Sequence, residues 1–121
     1  MTFNHIVIGH FQNPRNAGDL ASANAHVEVT NPVCGDILRL AVRIERDCIA
    51  EVRFKTQGCV AAIAASSVLT GMLTGKSKRQ ASEITAEIIS GALGGLPPAT
   101  FHAAQLCVDA VAALIRKFPA S

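Results

Sequence analysis

The run Leu38-Arg39-Leu40-Ala41-Val42-Arg43-Ile44-Glu45 puts apolar side chains at every second position and sets Arg39, Arg43 and Glu45 between them. Successive side chains of a strand point to opposite faces, so this run predicts a strand with one dry face and one wet face. Before it, His26 to Thr30 alternates in the same way and stops at the turn signal Asn31-Pro32. After it, beyond a turn at Asp47-Cys48, Val52 and Phe54 alternate with Arg53 and Lys55. Three such runs with short connections predict an antiparallel meander.

Past Gly58 the period changes to that of a helix. Val60 to Leu73 reads as one helix closed by Gly75, and Lys78 to Ser90 as a second. A third follows Pro97-Pro98, with Phe101, Ala104, Val108, Val111, Ile115 and Phe118 as its apolar stripe. At the other end, Phe3 to Phe11 has helical spacing and halts before Asn13-Pro14. Strands first and helices afterwards predict an α+β fold, a three-stranded antiparallel sheet with helices packed on one face.

The chain has 121 residues, 50% of them hydrophobic and 17% charged. One domain over 1–121 is expected, of a size that buries about two-thirds of its unfolded surface. Trp and Tyr are absent and the net charge is +2, which leaves neither stacking platforms nor a polyanion footprint for a nucleic acid. The uncharged stretches Thr56 to Gly75 and Ile88 to Val108 have the length of a membrane span. Their small and polar residues, and the Gly94-Gly95 and Pro97-Pro98 interruptions, point instead to buried or docking faces. The stretch from Val60 to Leu73 would suit a core or a homodimer equally. Met1 to His10 lacks the pattern of a secretory signal, so a reducing, cytoplasmic setting is expected for the four cysteines.

Three places where elements end carry the chemistry. Cys34-Gly35-Asp36 falls between the first two strands, Gly58-Cys59 between the third strand and a helix, and His102 in the first turn of the last helix. At a helix N-terminus the Cys59 thiolate would be favoured by the dipole. Two sulfurs and an imidazole suit zinc or iron-sulfur chemistry, with Asp36 as a hard fourth ligand or a gate. Spacing alone leaves open that the cysteines are small core residues. It also leaves open a hydrolase with Cys34 or Cys59 as nucleophile and His102 as base, for which no oxyanion hole is visible.

The segment His10-Phe11-Gln12-Asn13-Pro14-Arg15-Asn16-Ala17-Gly18 resembles the HFxNPRNxG opening of the IscU and NifU iron-sulfur cluster scaffold proteins. Pro32 to Asp36 is similar to their PxCGD loop, Phe54 to Cys59 to FKxxGC, and Leu96-Pro97-Pro98 with His102 to LPPxxxH. The resemblance implies a non-enzymatic scaffold on which a [2Fe-2S] cluster is built from iron and from sulfur supplied by a cysteine desulfurase, then passed to acceptor proteins. Zinc occupies the same site in family members. Carried over by position, the ligands are Cys34, Asp36, Cys59 and His102.

The family's third cysteine does not carry over, because Ala103 follows His102. Persulfide delivery by a desulfurase is therefore not expected in the usual form. Cys107, one helical turn on, is either a core residue or a replacement ligand. As a core residue its exchange for Ser would cost only a small packing term. Without Ala103's counterpart, a degenerate paralogue serving as a zinc-binding or regulatory module is the alternative function. Ala99-Thr100 stands where relatives served by a dedicated Hsp70-type chaperone have Val-Lys, which argues against that partner. Arg39, Arg43, Arg53 and Lys55 share the wet face, as a solvated surface or as a patch for an acidic partner.

Overall fold

A computed structural model describes residues 3–119. The chain runs through α1 (His5–Gln12), β1 (Ala25–Thr30), β2 (Ile37–Glu45), β3 (Cys48–Gln57), α2 (Val60–Leu73), α3 (Lys78–Ser82), α4 (Ala86–Ala92) and α5 (His102–Ile115). The sheet is antiparallel in the order β1-β2-β3, with Val27 opposite Leu40 and Leu40 opposite Phe54. Those three residues, with Leu38, Val42 and Val52, are buried on one face. Each such side chain contributes about 1.5–3 kcal/mol by leaving water. Helix α2 lies over β3, and α5 over β1 and β2, while α1 covers α2 and the short α3 and α4 lean on α5.

The β2–β3 turn is one residue earlier than expected. Glu45 pairs with Cys48, and the two turn residues are Arg46 and Asp47, both at positive φ. A two-residue turn of this hand matches the twist of the flanking strands. The helix expected over Lys78 to Ser90 is two helices. Ser77 caps α3 through a reciprocal box with Gln80, and Thr85 caps α4 by accepting from the Ile88 N–H. Two competing N-caps eight residues apart leave no register for one continuous helix.

Helix α5 is rolled relative to the expected stripe. Its buried line is Ala103, Ala104, Leu106, Cys107, Ala110, Val111 and Leu114, whereas Phe101, Val108 and Ile115 are only partly covered. Small residues allow close approach to the sheet, and the larger side chains flank the contact. The 18-residue window Pro98–Ile115 is long and apolar enough to cross a membrane, and its buried stripe belongs to the core.

Helix α2 is buried nearly all round, so the face that would have served a dimer is spent inside the protein. It carries three buried hydroxyls that periodicity did not single out: Ser66, Ser67 and Thr70. Ser66 Oγ donates to the Ala62 carbonyl at 2.7 Å and meets Thr56 Oγ1 at 2.7 Å. Ser67 Oγ accepts from the Arg15 N–H at 2.8 Å, and Thr70 Oγ1 accepts from Asn16 Nδ2 at 3.2 Å. Asn16 and Gly18 then hydrogen-bond to both sides of Phe54, at 2.9 Å each. The Asn13–Gly18 segment is thus a strap that joins α2 to the outer edge of β3 and covers that edge.

His10 closes the strap. The Ser67 hydroxyl, which accepts from the Arg15 N–H, lies 2.8 Å from His10 Nδ1; a neutral ring can take either role in that bond, whereas a protonated ring can only donate. Burial, and secondarily the Arg15 charge, hold the His10 pKa below its ordinary value. The unfolded chain takes up this proton first, from about pH 6.5 downward, so the fold loses stability as pH falls through that value and levels off below the depressed native pKa. Urea midpoints measured on either side of this window will fall less in His10→Gln than in the parent. Equal falls would remove His10 from the account.

Candidate metal centre

The loop between β1 and β2 is closed on itself. Asn31 N–H donates to the Asp36 carbonyl and Gly35 N–H to the Asn31 carbonyl, each at 2.8 Å. The Asn31 side chain accepts from the Val33 and Cys34 N–H groups at 2.8 and 3.3 Å, the Asx turn that sequence reading passed over. Gly35 takes φ +78, a left-handed conformation in which a Cβ would be strained. The result lifts Cys34 into solvent and turns Asp36 inward, to 8% exposure.

Cys59 is the N-cap residue of α2, and His102 is the first residue of α5, delivered there by the short 3-10 turn Pro98–Thr100. Both face Asp36. The Cys59 thiol donates to Asp36 Oδ2 at 3.6 Å, and His102 Nε2 lies 3.8 Å from the same oxygen. One ligand atom each from Cys34, Asp36 and His102 fall within 4.8 Å of one another. The Asp36 carboxylate is the hub on which three chain segments converge.

The electrostatics differ from the helix-dipole expectation for Cys59. Partial burial and then the Asp36 negative charge raise its thiol pKa, outweighing the Ala62 and Ala61 N–H groups that pull it down. A bare thiol beside a carboxylate stays protonated, and a cation placed between them would favour ionisation. Cys107 is apart from this group. It has no exposed surface, and burial pushes its thiol pKa up to about 12. Cys48 begins β3, at the end of the strand opposite Gln57 and the site. On the wet face, Arg39 pairs with Glu28 at 2.5 Å, Arg53 with Glu51 at 2.7 Å, Lys55 with Asp19 at 2.7 Å, and Arg43 with Glu45 and Glu51. These four cations meet the protein's own carboxylates, which favours the solvated reading of that face.

Residues 2–121 match the family described as the NifU-like N terminal domain. The chain belongs to this family. It is 43% identical over 105 residues to an iron-sulfur cluster assembly scaffold protein IscU of Archaeoglobus fulgidus, covering 87% of this chain and 69% of the relative. It is 42% identical over 118 residues to the IscU scaffold protein of Aquifex aeolicus, covering 96% of this chain and 75% of the relative. Among solved structures, a nitrogen-fixing NifU-like protein (N-terminal) from Brucella abortus superposes with a TM-score of 0.73 at 21% identity, over 94% of this chain and 92% of that one. That likeness supports the NifU-like α+β architecture.

Exposure and ionisation together order the thiols of this NifU-like domain. An aromatic disulfide reagent at about pH 8 should modify Cys34 first and Cys59 more slowly. Cys107 should react only on unfolding. Modification of Cys107 in the folded protein at the rate of Cys34 would contradict this arrangement.

Proposed function

We propose that the protein is an iron-sulfur cluster assembly scaffold, not an enzyme, whose cargo is held by Cys34, Asp36, Cys59 and His102. The observation that carries the reading is the convergence of two thiols and an imidazole on one nearly buried carboxylate. The relatives named as IscU scaffolds support it. The donor set fits the cargo: thiolates match iron of a cluster, and two sulfurs with one nitrogen and one oxygen also complete a four-coordinate zinc site. Among the described residues, no backbone N–H donates to the Asp36 carboxylate; what it meets is the Cys59 thiol and the His102 ring, the groups that would share a cation with it.

Cargo held by only two thiolates is expected to be more labile than in an all-cysteine site, and a hard carboxylate is the ligand that leaves iron most readily. We read the cluster as [2Fe-2S], with two ligands for each iron. Ala103 has no exposed surface, so the position of the family's third cysteine is filled by core packing. Sulfur from a cysteine desulfurase would then have to be accepted by Cys34 or Cys59, before transfer to acceptor proteins. The same Ala103 favours a second reading, a zinc-binding module without desulfurase coupling. Four free thiols, two of them at the site, suit the reducing cytoplasm.

Iron, acid-labile sulfide and zinc content separate the readings. Cys34→Ala and Cys59→Ala should each abolish stoichiometric binding. Full metal content in the double variant would refute the site. Cys107→Ser should retain the metal yet lose about 1–3 kcal/mol of stability, because a hydroxyl enters a fully enclosed apolar place. This exceeds the small packing term expected from sequence. A loss of metal in Cys107→Ser as complete as in Cys34→Ala would make Cys107 the third ligand.

A further inference from the structure

Gly58 stands between β3 and Cys59, and its backbone does not call for glycine: it is absent from the residues at positive φ. What it lacks is room. A Cβ built on Gly58 would lie 2.6 Å from Asp36 Cγ and 2.9 Å from each of the two carboxylate oxygens. Carbon atoms in contact sit about 3.5–4.0 Å apart, so any side chain here evicts the carboxylate. The carboxylate has little to resist with. Its side-chain partners among the described residues are the Cys59 thiol at 3.6 Å and His102 Nε2 at 3.8 Å, contacts weaker than an N–H hydrogen bond to a carboxylate. The shape of the wall at Gly58 therefore decides where Asp36 points.

We propose that Gly58 is a positioning residue: its missing Cβ is the recess that holds the Asp36 carboxylate between Cys59 and His102. This rests on the reading of those residues as the metal site and adds the element that fixes the hard ligand. The two glycines of the site thus act differently. Gly35 permits a backbone conformation, whereas Gly58 makes space for another residue's side chain. Gly58→Ala should act through Asp36, turning the carboxylate out of the site while Cys59 and His102 keep their places.

A four-protein cycle tests this: the parent, Gly58→Ala, Asp36→Ala and the double variant, each unfolded in urea without metal and titrated with cobalt(II) alone. Because the carboxylate must be displaced only where it is present, Gly58→Ala should leave the parent with a lower urea midpoint, relative to its own starting protein, than it leaves the Asp36→Ala variant. In the Asp36→Ala background it should cost nothing or raise the midpoint slightly, as Gly→Ala does where no clash arises. Should Gly58→Ala fail to fold, the double variant is expected to fold, and its failure to do so would overturn the proposal. The same holds if Gly58→Ala costs equally in both backgrounds.

Cobalt reports on the site itself. Gly58→Ala should weaken cobalt binding by about tenfold or more, the range for lost support of a ligand, and shift the visible bands toward those of Asp36→Ala. The double variant should show no further change. An unchanged affinity and spectrum in Gly58→Ala would overturn the positioning role. If Asp36→Ala itself left cobalt binding unaltered, the assignment of Asp36 as ligand would fall and the proposal with it. The stability coupling between Gly58 and Asp36 would then persist, which tells that failure from the first.

Discussion

The strand register is the constraint on which the site depends. Ile37 pairs with Thr30 on one side and with Gln57 on the other. The chain therefore enters β2 directly after Asp36 and leaves β3 directly before Gly58 at the same edge of the sheet. Asp36 and Cys59 are brought together by backbone hydrogen bonds several residues long, not by their own attraction. A slip of one residue would turn Leu38, Leu40 and Val42 out of the core, so burial of that face locks the register and the site together.

Helix α5 supplies the remaining candidate ligand under a similar constraint. Ala103, Cys107, Ala110 and Leu114 have no exposed surface, and their line fixes the roll of the helix. Held that way, His102, half-buried and one residue ahead of Ala103, faces Asp36. The same roll takes Cys107 into the core. One packing decision thus places an imidazole beside Asp36 and keeps a thiol from it. The strap from Asn13 to Gly18 holds α2 against β3, and so holds the junction that carries Gly58 and Cys59.

Much of this was legible because strong periodicities wrote it. Alternation in Leu38 to Glu45 determined the meander, and the element ends at Cys34, Cys59 and His102 were visible as breaks in period. What could not be read depended on contacts distant in sequence. The split of α3 from α4 turned on competing caps at Ser77 and Thr85, which a smooth apolar pattern hides. The roll of α5 escapes apolar periodicity because its buried line includes Ala103, Cys107 and Ala110, small side chains that carry less hydrophobic signal than Phe101, Val108 and Ile115. Ser67 and Thr70 looked like ordinary helix residues until the strap arrived with Arg15 and Asn16. The ion pairs of the wet face depended on Asp19, Glu28 and Glu51, partners set by topology. Gly58 gave no signal as a spacer, because the atoms that need its space belong to residue 36.

The central claim is a mixed site of two sulfurs and two lighter donors centred on Asp36. X-ray absorption at the zinc edge of the zinc-loaded protein tests it most directly. The account predicts two sulfur neighbours at about 2.3 Å and two nitrogen or oxygen neighbours at about 2.0–2.2 Å. A first shell with three or more sulfurs, or with none, would contradict it.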